Sequence, residues 1–254
     1  MFVERHGRGP EAYFALHGWG GDRRTFAPLA PFVPDTASLY AADLPGCGDS
    51  PRPCAWTIGG VVEEIAGAVR GTGAERVTLV GNCGGAVFAL LAARELEEKV
   101  ERVLMIDPFA YLPRHFRLFN AGEFGRRAYD ATFANPLGRW LTNQSLRGHR
   151  AGAADLTASF AGTDHEAARR YLKLYGEVGG VEIFRGFGTP VEIAYGERTF
   201  GAVRRSLPLW RGVLPRVRAR EIEGAGHQPF AEAPARVSEF IFGGDAAARK
   251  RGAA

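Results

Sequence analysis

Residues 77–93, VTLVGNCGGAVFALLAA, decide the fold, because an apolar strand runs through a short turn directly into a helix. The turn, residues 81–85, has a potential nucleophile, Cys83, at its centre. A turn this sharp strains its central residue, and Gly81 and Gly85 let the strand and the helix approach closely. The pattern predicts a nucleophile elbow in which Cys83 reacts. The alternative, a buried inert cysteine, does not require the two glycines.

Outward from the elbow, apolar segments alternate with helical ones, which is typical of a mostly parallel sheet flanked by helices. We therefore predict the α/β class. Short apolar and β-branched runs predict strands over 13–16, 38–42, 76–80, 102–106, 190–195 and 218–222. Apolar residues three and four positions apart predict helices over 57–70, 84–99, 202–213 and 234–242.

The alternation stops over residues 110–185, where helical segments follow one another without a buried strand. Ligands bind at the carboxyl ends of parallel strands, so an insertion at such an end is placed to cover the site. We predict a helical cap over 110–185 on an α/β core of residues 1–109 and 186–244. Residues 245–254 are predicted to be a disordered basic tail.

The composition favours a soluble cytoplasmic protein with no cofactor. The 254 residues contain no apolar run long enough to span a membrane, and the first residues lack the features of a secretory signal. Cys47, Cys54 and Cys83 fit neither a disulfide framework nor a zinc site, so no metal is expected. A formal charge of +4 is ordinary surface charge, so we predict no nucleic acid and no membrane partner. We also predict a monomer or homodimer.

A second glycine-rich turn follows the first predicted strand, in residues 14–26, FALHGWGGDRRTF. Backbone N–H groups in such a turn can bind a developing oxyanion together with the N–H of the residue after the nucleophile. The predicted donors are Trp19 and Gly84, although a plain glycine turn is the alternative. The predicted substrate-binding residues are His17, Asn82, Phe109 and Tyr111.

His227 lies in a glycine-flanked loop between the last predicted strand and the last predicted helix, in residues 220–241. A general base in that loop reaches a nucleophile at the strand ends. The other five histidines lack this context. We predict that His227 is the base.

Four segments together resemble the ordered landmarks of the α/β-hydrolases with a small helical cap, similar to pimeloyl-[acyl carrier protein] methyl ester esterases and meta-cleavage-product hydrolases. They are HGWGG at 17–21, AADLPGCGDSPRP at 41–53, GNCGGAV at 81–87 and GAGHQPFAEAPARVSEF at 224–240. The resemblance covers the core and not the cap. It implies a nucleophile, histidine and acid triad on an α/β-hydrolase fold.

Two departures from that family matter. Cys83 stands where the family usually has serine, as in dienelactone hydrolases and polyhydroxyalkanoate synthases. Thr199 stands where the family usually has the catalytic aspartate. Asp107, which follows an earlier predicted strand, occupies the position from which some haloalkane dehalogenases supply their acid, and we prefer it to Glu197. Asp107 as the start of a turn, or a cysteine and histidine pair with a weak third member, are the alternatives.

These residues predict an enzyme that cleaves an ester or thioester through an acyl-cysteine intermediate, with a Cys83–His227–Asp107 triad. The alternatives are an acyltransferase that passes the acyl group to an amine, alcohol or thiol, and a ligand-binding protein that has lost catalysis. The predicted partner is a small acyl substrate, including one attached to a carrier protein or coenzyme A.

Overall fold

The computed structural model describes residues 1–152 and 154–252, with side chains through Gly243. Within them a seven-stranded sheet has the order β1-β3-β2-β4-β5-β6-β7. Only β1 runs antiparallel to its neighbour. The strands are β1 (Val3–His6), β2 (Glu11–Leu16), β3 (Ala37–Ala42), β4 (Val77–Asn82), β5 (Val100–Ile106), β6 (Val191–Gly196) and β7 (Arg218–Ile222).

Helices lie on both faces of this sheet and in the segment between β5 and β6. They are α1 (Ile58–Gly71), α2 (Gly84–Glu95), α3 (Arg114–Arg117), α4 (Gly122–Tyr129), α5 (Pro136–Ser145), α6 (His165–Glu177), α7 (Gly201–Val213), α8 (Pro229–Glu232) and α9 (Pro234–Gly252). A 3-10 helix, Arg23–Phe32, adds to one face. In the described part of the chain, no helix has both the length and the apolar character needed to cross a bilayer.

The core has two layers, one on each side of the sheet. One layer joins alternate residues of the central strands to α1, α2 and α7, including the fully buried Trp210. The other joins the opposite faces of the strands to the 3-10 helix and α9 through residues such as Phe26 and Phe240. Because the central strands are buried on both faces, they are nearly continuous apolar runs, which is why the sequence pattern finds them.

The predicted α/β class and all six predicted strands are confirmed, and β1 was missed. Its sequence, VERH, is short and mostly polar, because it is an edge strand that pairs with β3 alone and has no apolar face to bury. Helix α2 ends at Glu95 rather than at Lys99. Glu95, Glu97 and Glu98 lie at its carboxyl end, where negative charge opposes the helix dipole.

The segment predicted as a cap lies between β5 and β6 and contains α3 to α6 together with short 3-10 and π turns. No strand occurs in the residues of this segment that the structure describes. Of the predicted tail, residues 245–252 lie in α9, where only the backbone is described, and residues 253 and 254 lie outside the described residues.

Candidate active site

The turn between β4 and α2 has the geometry expected of an elbow. Cys83 has φ of 51° and ψ of −117°, a backbone conformation that residues other than glycine rarely adopt. A β-carbon at Gly81 would lie 2.3 Å from the Cα atom of Ala86, and one at Gly85 would lie 2.4 Å from the carbonyl oxygen of Leu16. The predicted need for glycine on both sides of Cys83 is therefore confirmed.

His227 and Asp107 meet at the carboxyl ends of the strands. The Nδ1 atom of His227 lies 3.0 Å from Oδ2 of Asp107, and the carboxylate is fully buried. The other carboxylate oxygen accepts a hydrogen bond of 3.0 Å from the backbone N–H of Gly196 at the end of β6. The side chain of Cys83 lies close to the same ring, and both residues line one cavity. The structure thus brings the three residues predicted as a triad close together.

The side chain of Thr199 also contacts Nδ1 of His227. Its Oγ1 lies 3.2 Å from Nδ1 of His227, and the residue is almost completely buried. The nearby Oδ2 of Asp107 lies off the axis of the ring N–H, so its contact with His227 is a close ion pair rather than a well-aligned hydrogen bond. Glu197 is directed elsewhere, because its carboxylate accepts a hydrogen bond of 2.8 Å from the N–H of Gly224.

The charge state of His227 is set by opposing effects. Burial disfavours the charged ring, but close contacts with the carboxylate of Asp107 and the sulfur of Cys83 raise the pKa of His227 to about 10. At neutral pH the ring is therefore an imidazolium.

This raised pKa predicts a pH dependence of stability. An unfolded histidine has a pKa near 6.5, so the stability supplied by the charged His227 is fully present below about pH 6.5 and lost as the pH rises through about 10. We expect wild type to lose on the order of a few kcal/mol of unfolding free energy relative to His227→Gln across this range. Urea denaturation of both proteins at pH 6, 8 and 10 measures this loss. A difference in unfolding free energy that does not change with pH would contradict the raised pKa of His227.

Above the three residues lies a cavity of about 530 Å³ between the sheet and the cap segment. Cys83, Gly84 and His227 line it, as do Phe109 and Tyr111, which were predicted as substrate-binding residues. Most of the remaining lining is apolar or aromatic and comes from the cap segment and α7. It includes Leu112, Phe116, Phe119, Phe133, Leu146, Leu156, Phe160, Leu172, Val181, Phe184, Phe200 and Trp210.

Trp19 connects the glycine-rich turn to the cap segment. Its indole N–H donates a hydrogen bond of 2.7 Å to the backbone carbonyl of Ala168 on α6. Its ring makes edge contacts with Phe133 and Phe160, each with ring centres 4.9 Å apart. Trp19 and Gly84, the two predicted oxyanion donors, both line the cavity together with Cys83.

His17 and Asn82, two of the predicted substrate-binding residues, are not among the residues that line the cavity. His17 is fully buried, with Nδ1 2.8 Å from the Gly18 carbonyl oxygen and Nε2 accepting a hydrogen bond of 3.0 Å from the N–H of Leu44. Burial lowers its pKa, so the ring is neutral and connects two loops. The Asn82 side chain packs beside Gly18, with a buried Oδ1 that lacks a hydrogen-bond partner.

Several residues of the cavity were not found from the sequence. Tyr175 lies on α6, and Arg205 and Trp210 lie on α7. Both helices have regular amphipathic patterns, which predict a buried face but not which buried residues meet a cavity. Arg117, at the end of α3, also lines the cavity. No sequence signal separates these side chains from ordinary helix residues.

Known proteins resemble this chain in both sequence and structure. Residues 14–240 match the alpha/beta hydrolase family. A pimeloyl-[acyl-carrier protein] methyl ester esterase from Methylococcus capsulatus is 37% identical over 94 residues, which are 37% of this chain and 35% of that protein. The esterase of the same name from Aeromonas hydrophila is 24% identical over 254 residues, covering 94% of this chain and 96% of that protein.

A thermophilic esterase from Thermogutta terrifontis superposes with a TM-score of 0.76 at 18% identity, covering 94% of this chain and 90% of that one. This structural likeness supports the fold. The sequence match to the Methylococcus protein is partial, because this chain covers only 35% of that protein. The family match, in contrast, extends from β2 to α9 and includes the elbow and the His227 loop. The chain belongs to the alpha/beta hydrolase family.

Proposed function

We propose that this chain is an esterase or thioesterase that forms a covalent acyl intermediate on Cys83. The observation that carries the proposal is that the ring of His227 lies against the buried carboxylate of Asp107 and lines an apolar cavity together with Cys83. A strained elbow presents the thiol to that cavity, and a buried carboxylate holds the imidazole. This is the arrangement that nucleophilic acyl transfer requires.

In the proposed first step the Cys83 thiolate attacks the carbonyl carbon of the substrate. A carbon–sulfur bond forms, and the π electron pair moves to the carbonyl oxygen, where the N–H groups of Gly84 and Trp19 stabilise it. The intermediate then collapses and expels the alcohol or thiol, which takes a proton from the imidazolium of His227. Asp107 lies against Nδ1, which leaves Nε2 for this proton transfer.

In the second step a water molecule attacks the acyl-cysteine. Neutral His227 removes a proton from the water, and the returning electron pair expels the Cys83 thiolate. The imidazolium and thiolate are then restored, and the carboxylic acid leaves. The elevated pKa of His227, about 10, favours the imidazolium that protonates the leaving group in the first step.

The acyl group that fits this cavity is apolar. Aromatic and aliphatic side chains form most of its wall, and its volume of about 530 Å³ accommodates a medium-length acyl chain. The relatives from Methylococcus and Aeromonas are named for an acyl group on a carrier protein. Arg117 and Arg205, whose exposed side chains line the same cavity, can bind a phosphate of a carrier arm. We therefore propose an acyl substrate attached to a carrier.

A panel of substrates tests the activity and its main rivals. We expect p-nitrophenyl esters and acyl thioesters of increasing chain length to be hydrolysed, with intermediate chains preferred because the cavity is apolar and bounded. Adding amines or thiols distinguishes transfer, since an acyltransferase forms the amide or new thioester at the expense of the acid. No turnover of any compound, combined with tight binding of the acids, would instead support a ligand-binding protein.

A further inference from the structure

Tyr175 has a buried hydroxyl that no protein group satisfies. The residue lies near the end of α6 and lines the cavity. Its phenolic oxygen is excluded from solvent and has no hydrogen-bond partner. Its ring is held by Phe88 of α2, with ring centres 5.5 Å apart. Buried hydroxyls in native proteins are normally hydrogen-bonded, so this one calls for an explanation.

The phenol lies directly over the residue that follows the proposed nucleophile. A β-carbon at Gly84 would lie 2.2 Å from the hydroxyl oxygen of Tyr175 and 2.2 Å from the ring carbon that bears it. Gly84 has an ordinary negative φ, so the space taken by Tyr175, and not backbone conformation, requires glycine there. Gly84 is also the first residue of α2, where a backbone N–H has no acceptor within the helix.

The hydroxyl is a donor under all working conditions. Burial raises the pKa of Tyr175 well above its ordinary value. The phenol therefore keeps its proton. This neutral O–H lies beside Gly84, whose N–H has no acceptor within the helix, and both residues line the cavity together with Cys83.

We propose that Tyr175 is a further catalytic residue, a donor from the cap segment that stabilises the oxyanion formed on Cys83 together with the N–H of Gly84. As the carbon–sulfur bond forms and the π pair moves to the carbonyl oxygen, the phenol donates a hydrogen bond to that oxygen and keeps its proton. This inference rests on the proposed function. It means that the oxyanion site is complete only when α6 is seated over the elbow.

Tyr171 provides a matched control on the same helix. It lies one turn before Tyr175 and is buried, and its ring also contacts Phe88, with centres 5.6 Å apart. Its hydroxyl, however, donates a hydrogen bond of 2.9 Å to the backbone carbonyl of Pro45. Loss of this hydroxyl removes a structural hydrogen bond but leaves every group at the reacting carbonyl in place.

The test compares two reactions of Cys83 in the full chain, with exposed Cys54 changed to alanine throughout. The first is acylation by a p-nitrophenyl ester, followed as single-turnover release of p-nitrophenol. The second is disulfide exchange with 4,4′-dithiodipyridine, in which the thiolate displaces thiopyridone and no carbonyl oxygen takes part. We expect Tyr175→Phe to slow acylation about 10²-fold and to leave disulfide exchange unchanged. Tyr171→Phe is expected to leave both unchanged.

Gly84→Ala is a second, independent variant. It keeps the backbone N–H, but its β-carbon takes the place of the phenol, so it should slow acylation and spare exchange in the same way. Thermal unfolding of each variant verifies that it is folded. Equal slowing of both reactions in Tyr175→Phe would overturn the proposal, because the phenol would then act on the thiol. Unchanged acylation would overturn it as well. If wild type is not acylated at all, the proposed function itself fails.

Discussion

Turnover falls at least about 10⁴-fold when Cys83 is replaced by alanine, while the protein stays folded. The reason is that the elbow presents one side chain at the cavity floor, and alanine leaves no atom there that can form the acyl bond. The residue is partly exposed, so its truncation creates no large internal void. The kcat for the best ester measures the loss of turnover, and the melting temperature shows whether the variant stays folded.

The other cysteines are the controls for this variant. Cys54→Ala removes an exposed thiol and should leave kcat unchanged. Cys47 is buried, and burial raises the pKa of its thiol to about 12, so it stays protonated and unreactive. A Cys83→Ala protein that keeps more than about a hundredth of wild-type kcat would show that the chemistry does not pass through this thiol.

A loss of about 10²- to 10⁴-fold in kcat is expected for Asp107→Asn. Asparagine keeps an oxygen for the N–H of Gly196 but removes the negative charge 3.0 Å from His227 Nδ1. The imidazolium is then less stable, so the resting ion pair weakens. Glu197→Gln is the matched control, since this carboxylate bonds to Gly224 and should not affect kcat.

Thr199→Asp in the Asp107→Asn background tests whether a carboxylate at position 199 can replace the one at position 107. The Thr199 side chain already lies 3.2 Å from the same nitrogen of His227, so a carboxylate there should restore part of the lost kcat. In the wild-type background the same change places two buried carboxylates together and should lower stability. A double variant no more active than Asp107→Asn would argue against interchangeable positions.

Much of this site could be predicted because its determinants are local in the sequence. The elbow depends on Gly81, Cys83 and Gly85 within five residues, and the close contacts at both glycines explain why that spacing is so specific. The choice of Asp107 over Glu197 followed from its place after an earlier predicted strand, the position from which some haloalkane dehalogenases supply their acid. The structure brings Asp107 to His227 because it ends β5, next to the strand that ends at Gly196.

The parts that escaped prediction depend on contacts between distant residues. The hydrogen bond from Trp19 to Ala168 and the position of Tyr175 over Gly84 join segments far apart in the chain. A helical pattern fixes the buried face of α6 but not its placement over the elbow. The surroundings of His17 could not be predicted for a similar reason, because its partner Leu44 lies on a different loop.

The most direct test of the central claim is mass spectrometry of the protein quenched in acid during turnover of a slowly hydrolysed ester or thioester. The account predicts a mass increase of one acyl group, mapped to the peptide containing Cys83, in wild type and Cys54→Ala and absent from Cys83→Ala. Turnover at wild-type rate without an adduct on Cys83, or with the acyl group on another residue, would contradict it.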